Sequence, residues 1–404
     1  MRDDEAVTSS HLENPMPSGR AFASGAGPTA SPDGGAAGEE SDQLPAERLD
    51  APPVTRRTVT LGITLLLTAV LAAVALVLPA PYAVRAPGPT ENTLGEQGDT
   101  PLIEIAGAKT YESTGELRLT TVSVAGGPGY PVTAGQVVEA WLDPTRSVVP
   151  VESVFPEATS AEEQQQASQA EMVSSQESAT AAALTELGMD VPATLTVAGA
   201  ESGTGADGVV QEGDVVVSFQ GQPVTTYAQL IDGLAETEPG SDVVLGVRRD
   251  GATRDLTITT GGVEGADRAV MGVYIDPEYD FPVDVSIQIE DIGGPSAGTM
   301  FALGIIDKLT PEDEANGKVI AGTGTMSPEG LVGPIGGIEQ KLYGARRDGA
   351  TWFLAPAANC PEVVGNVPDG LHVVRIGTLA DARQAVEAIG SGEGASLDTC
   401  SASS

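Results

Sequence analysis

Histidine and lysine are nearly missing from this chain of 404 residues, with two of the first and four of the second. His11 lies in a polar N-terminal stretch and His372 in an apolar, strand-like "GLHVVRI". A serine–histidine–acid triad would therefore have to use His372, against demanding geometry. Basic residues number 20 against 57 acidic ones, a formal charge of −37. Phosphate recognition needs clustered Lys and Arg, so nucleic acid is excluded as a partner. Aromatics are few, at 4%. No G-x-x-x-x-G-K-[ST] phosphate loop occurs: the one Lys-[ST] pair, Lys109-Thr110, follows Ala108. No metal or cofactor is expected.

What is present begins with a tail, residues 1–57, that is small, polar and without apolar period, hence read as disordered. Residues 58–79 follow, with Val59–Leu78 forming 20 residues without a charge. That length spans a hydrocarbon core of about 30 Å as a helix. It is too long and too far from the start for a simple signal peptide. A buried core helix is the competing reading. Arg48, Arg56 and Arg57 precede the run and only Arg85 follows closely. The positive-inside rule then places the N-terminus in the cytoplasm and the rest outside the cell membrane. Both cysteines, Cys360 and Cys400, fall in that outer part. They form either a disulfide or two unpaired thiols.

Residues 80–99 read as a Pro/Gly-rich linker. "PLIEIAG" and "GELRLTTVSVAG" alternate as half-buried strands do, and residues 160–188 have helix-forming composition up to Gly188. From about Asp190 short strands and turns take over. "TTYAQLIDGLAE" is an amphipathic helix, and "SDVVLGVRRDGATRDLTITT" a hairpin turning at Asp250-Gly251. The stretch "GDVVVSFQGQPV…YAQLIDGLAE…GSDVVLGVRRDG" resembles a bacterial PDZ domain. The resemblance implies a groove that takes an extended peptide, often a free C-terminus, as an added strand. Residues 199–208 are glycine-rich but lack the apolar signature of a carboxylate-binding loop.

"FPVDVSIQIE" (281–290) then alternates strictly and delivers the chain into "DIGGPSAGTM" (291–300). Gly-Gly-Pro places Ser296 at the head of an apolar helix, where unpaired N–H groups and the positive dipole end can hold an anion. Serine is a weak nucleophile without a base. Among the lysines, Lys341 differs, because Ile338, Leu342 and Ala345 give its helix an apolar face. Periodicity alone favours a lysine whose stem covers core while its head reaches water. Desolvation there would instead lower its pKa and free the amine as a base.

"GGPSAG", the 45 residues from Ser296 to Lys341, and "GTGTMSPEGLVGPIGGIEQKL" between them resemble the proteolytic domain of Lon-type proteases. The resemblance implies a serine–lysine dyad: Ser296 as nucleophile, Lys341 as general base. It places Thr323 beside the lysine, with Thr325 as the nearby alternative, and Gly294 and Pro295 as supports of the serine. Backbone N–H groups of Ser296 and its neighbours would form the oxyanion hole. The family often has an acid two residues before the proline; here Gly293 stands there, with Asp291 displaced. "TGELRLTTVSV" resembles an early strand of the same domain.

The combined expectation is an α+β chain similar to the membrane-anchored PDZ–Lon-like proteins of Gram-positive bacteria. Residues 100–188 and 263–395 would form the catalytic domain, 189–262 an inserted PDZ domain and 396–404 a tail. The implied activity is ATP-independent serine endopeptidase cleavage of exported or membrane-associated proteins, with the lipid bilayer as a partner and a hexamer by resemblance. The competing readings are a non-catalytic PDZ adaptor on the same scaffold, and an anion-binding glycine loop at residues 293–298 with no lysine following it.

Overall fold

The computed structural model describes residues 55–127, 130–155, 160–263, 266–290 and 292–401. The polar tail up to residue 54, with His11, and Asp291 lie outside them. The chain divides into two units, Met1–Gly62 and Ile63–Ser404. Of the first, the described part is the opening of helix Arg56–Val77. That helix has 22 residues and buries none of them. At 1.5 Å per residue it is about 33 Å long. By length and composition it can cross a membrane.

In the second unit a six-stranded sheet runs in the order His372–Ile376, Trp352–Pro356, Val319–Gly322, Glu116–Ala125, Tyr82–Asn92, Ser147–Pro150. The first four strands are parallel, and the last two join antiparallel. Strand periodicity of two sorts the core into layers. Ile320, Leu354, Val374 and Ile376 face one way, onto helices Gly298–Leu309 and Leu379–Ser391. Ala321, Phe353, Ala355 and Val373 face the other, onto helix Ile338–Arg347. The serine and the lysine are thus carried by helices on opposite faces of one sheet.

The long helix Ala161–Glu186 opens with a capping box between Ser160 and Glu163 and adds Met172, Ala179, Ala182 and Ala183 to the layer around the serine helix. Strand Asp284–Ile287 pairs antiparallel with Ile103–Ala106. Cys360 and Cys400 are joined by a disulfide.

Two expectations need correction. The stretch 80–99 is no linker, since Tyr82–Asn92 is an interior strand of the sheet. Its Pro87-Gly88-Pro89 is absorbed at a register shift between Pro87 and Thr90, where missing proline N–H groups break no ladder. The boundary at 262 also cuts through a sheet. Ala252–Thr259, Asp242–Arg249, Val215–Phe219 and Ala193–Ala200 continue into Val273–Tyr279. Pro277 lies within this last strand, where proline is admissible because the strand is at the edge. Leu195, Val197, Phe219, Leu230, Leu245 and Ile258 fill this second core.

Candidate active site

Strand Val319–Gly322 ends at Thr323, and there the two faces of the sheet meet. From one side comes Ser296, two residues before helix Gly298–Leu309. Its loop is set by contacts with the long helix. Gly294 has φ +83°, a left-handed conformation open to glycine, and gives its N–H to the Ser168 carbonyl at 2.9 Å. A side chain on Gly293 would run into Ser168. This is a physical reason for glycine where the resembled family often has an acid. Ser175 Oγ donates to the Pro295 carbonyl at 3.0 Å.

From the other side comes Lys341, four residues into its helix register after Gly337, whose carbonyl accepts the Lys341 N–H. Its side chain does not reach water: the residue is 2% exposed. Nζ lies 2.9 Å from Ser296 Oγ, 2.8 Å from Thr323 Oγ1 and 3.0 Å from the Thr120 carbonyl. Burial pushes its pKa down to about 7. Periodicity would have sent this ammonium outward; the neighbouring strand Glu116–Ala125 closes that route.

The hydrogen atoms around Nζ can be counted. Thr323 Oγ1 gives its single proton to the Ser296 carbonyl at 2.9 Å, so it accepts from Lys341. The Thr120 carbonyl can only accept. A neutral amine has two N–H bonds and one lone pair. Both N–H bonds are taken by Thr323 and Thr120, and the lone pair is left facing Ser296 Oγ.

Among the described residues no acceptor takes the N–H of Ser296 or Ala297. Both precede the serine helix, whose dipole adds positive potential. The Ser296 carbonyl is held back from them by Gly324 N–H at 3.0 Å. The serine and lysine border a cavity of about 520 Å³, whose wall includes Thr120–Ser123, Gly294, Pro295 and Pro334–Gly336. Thr325 also lines it but is half-buried and pairs with Gly333, so of the two threonines Thr323 is the one touching Lys341. His372 is elsewhere, on the edge strand with its ring 4.8 Å from that of Trp352. Thr120, Ser168 and Ser175 were not singled out from sequence. Two of them act through carbonyls, which any residue supplies.

The second core offers a strand edge. Val273–Tyr279 pairs with Ala193–Ala200 on one side and, among the described residues, with no strand on the other. Helix Tyr227–Ala235 shares a core with its Val273 and Ile275. Residues 201–207, by contrast, form a turn in which Asp207 accepts the Gly203 N–H at 2.9 Å.

Two family models match separate parts of the chain. Residues 172–260 match the family model of the PDZ domain, and residues 284–385 that of the Lon protease (S16) C-terminal proteolytic domain. The Lon protease of Clostridioides difficile (strain 630) is 31% identical over 183 residues, 41% of this chain and 23% of that protein. Lon protease 2 of Bacillus subtilis (strain 168) is 29% identical over 154 residues, 37% of this chain and 26% of that protein. The chain thus spans about a quarter of the length of these curated relatives. The crystal structure of the PDZ domain of the SdrC-like protein from Listeria monocytogenes matches 20% of this chain and 86% of that one, at 15% identity and a TM-score of 0.19. The chain therefore combines a PDZ domain with a Lon-type C-terminal proteolytic domain.

Proposed function

We propose that the protein is a serine endopeptidase in which Ser296 is the nucleophile and Lys341 the general base. The observation that carries this is the hydrogen count at Lys341, which leaves one lone pair, directed at Ser296 Oγ. Ser296 Oγ passes its proton to Nζ and attacks the scissile carbonyl carbon. The developing oxyanion lies against the N–H groups of Ser296 and Ala297. The Lys341 ammonium keeps its bonds to Thr120 and Thr323 and gives the third proton to the leaving amine as the C–N bond breaks. An ester on Ser296 remains. Water, losing a proton to the neutral Lys341, then hydrolyses it and restores the hydroxyl.

The surrounding modules fit a working arrangement. Arg56–Val77 anchors the chain in the cell membrane with the N-terminus inside, so the site meets exported or membrane-associated proteins. The free edge of Val273–Tyr279 takes an extended substrate segment or C-terminus as an added strand. Cleavage proceeds without nucleotide on segments that are already accessible, and the subunits assemble as a homo-oligomer, a hexamer by resemblance.

The test is cleavage of unfolded casein by the full chain in detergent micelles, with and without ATP, followed by mass spectrometry. Fragments from the wild type, equal in both conditions and absent with Ser296→Ala and with Lys341→Ala, are expected. Fragments that persist in both variants would overturn the dyad.

A further inference from the structure

The segment after the apolar helix folds back on itself. The Leu78 carbonyl accepts the Ala134 N–H at 2.9 Å, Ala80 gives its N–H to the Val132 carbonyl at 2.9 Å, and Pro79 bridges to Thr133. These bonds fix the start of a short helix, Ala134–Leu142, at the end of the apolar one. Thr133 and Gln136 close its N-terminus with a capping box. Gly135 faces Leu76 so closely that a side chain there would meet the Leu76 carbonyl at 3.0 Å.

Only part of this helix is used by the fold. Val137 and Ala140 are buried with Val84 and Val132. Val138, Trp141 and Leu142 are 43%, 64% and 81% exposed. Gly135, Val138 and Leu142 follow a spacing of three and seven, so they share the helix side that looks toward Leu76. Trp141 flanks them, its ring edge-on to Tyr82 with centroids 6.3 Å apart. Gln136 lies on another side; Glu139, four residues after Gly135 and three before Leu142, borders the stripe and pairs with Arg146 at 3.5 Å, and the helix itself contains no Lys or Arg. Single exposed apolar residues are ordinary, but a contiguous exposed stripe marks a binding surface. Tryptophan suits the boundary between headgroups and acyl chains.

We propose that Ala134–Leu142 is an interfacial helix, with Val138, Trp141 and Leu142 seated in the outer leaflet beside the point where the anchor leaves it. The proposal rests on the reading of Arg56–Val77 as a membrane anchor. The bonds to Leu78 and Ala80 hold the stripe at the end of the anchor, where the bilayer is the nearest apolar phase. Such a helix sits about 5–10 Å into the headgroup and acyl boundary. Having no basic residue, it binds through apolar contact and needs no anionic lipid. A second point of attachment limits the swing of the enzyme about its anchor and holds the Ser296 cavity at a set height above the bilayer.

The experiment uses the full chain reconstituted into phosphatidylcholine vesicles whose acyl chains carry bromine near the headgroup. Bromine quenches tryptophan on contact, and the chain has two, Trp141 and Trp352. The expected result is quenching in the wild type that is lost in Trp141→Phe and strongly reduced in Val138→Glu with Leu142→Glu. All three proteins should still float with the vesicles after alkaline extraction. A wild type that floats but is quenched no more than Trp141→Phe overturns the interfacial helix while leaving the anchor standing. A blue-shifted Trp141 signal that ignores bromine and depends on protein concentration overturns it in favour of a contact between copies. A wild type that fails to float overturns the anchor, and the proposal with it. Dependence of the quenching on added anionic lipid would also contradict it.

Discussion

Thr323 Oγ1 accepts a hydrogen bond from Lys341 Nζ at 2.8 Å while giving its own proton to the Ser296 carbonyl at 2.9 Å. This one hydroxyl couples the residue that would remove a proton to the backbone of the residue that would lose it. Without it, an amine N–H is free to turn toward Ser296 Oγ, where the lone pair is needed. Thr323→Val keeps the shape and removes both bonds. The two lost hydrogen bonds are worth about 1 kcal/mol each, so kcat/KM should fall roughly thirtyfold. Thr323→Ser should recover most of it. If the valine and serine variants are equally impaired, packing of the methyl group, and not the hydroxyl, is what the site needs.

The burial of Lys341 sets a pH dependence with a definite sign. Its pKa is down to about 7 from an ordinary 10.5. The neutral base gains population as pH rises, so kcat/KM should climb through an inflection near 7 and level off. Stability carries the same signature. Between about 7 and 10.5 the unfolded chain holds a proton that the folded chain does not. Stability therefore rises with pH, by about 1.4 kcal/mol per unit, relative to Lys341→Met. Denaturant titrations of both proteins at several pH values would read this difference. Parallel curves would mean that Lys341 keeps its proton in the fold.

How far the site can be read from sequence depends on what kind of group each residue contributes. Ser296 and Lys341 bring chemistry that their side chains alone possess, and the spacing between them resembles a known family. Helical periodicity, however, turns Lys341 toward water, because the pattern does not show that strand Glu116–Ala125 covers that face. Thr120 and Ser168 enter through carbonyl oxygens, and no residue type announces a carbonyl. Composition misleads at Pro87-Gly88-Pro89, which looks like loop and lies in a strand whose pairing is decided by distant segments.

Gly293 tests whether the serine loop depends on close approach. With a glycine there, the long helix can receive the Gly294 N–H on the Ser168 carbonyl. Gly293→Ala would place a methyl group against Ser168; the hydroxyl can turn aside, but Cβ at 3.1 Å cannot, so the loop must shift slightly and strain that bond. Cleavage should drop with little change in overall helicity. Ser168→Gly removes the obstacle, at about 0.5 kcal/mol of helix propensity. Combined with Gly293→Ala it should recover part of the activity, and the coupling is read from a double-mutant cycle on kcat/KM. Additive losses would mean the two residues act separately and the loop is held by other contacts.

The second core has its own electrostatic dependence. Asp214, 1% exposed, accepts Nε and Nη2 of Arg249, both at 2.6 Å, and the Gln211 N–H at 2.9 Å. The guanidinium bond, foremost, holds its carboxyl below the usual carboxylate range. A depressed folded pKa stabilises above the ordinary value near 3.9 and is lost as pH falls through the folded value. Arg249→Met leaves a buried carboxylate without its partner, among the more costly kinds of change. Hydrogen exchange across Ala193–Ala200, Val215–Phe219 and Asp242–Arg249 should speed up strongly, while the sheet beneath Ser296 stays protected. Asp214→Leu together with Arg249→Met should restore part of the protection, since an apolar pair carries no unpaired charge. Below the ordinary carboxylate pKa the gap between wild type and Arg249→Met should narrow, because Asp214 is then neutral in the variant and losing its advantage in the wild type. A gap of constant size from neutral to acid pH would assign the loss to the packing of the Arg249 stem, and the ion pair would then have no net role in this sheet.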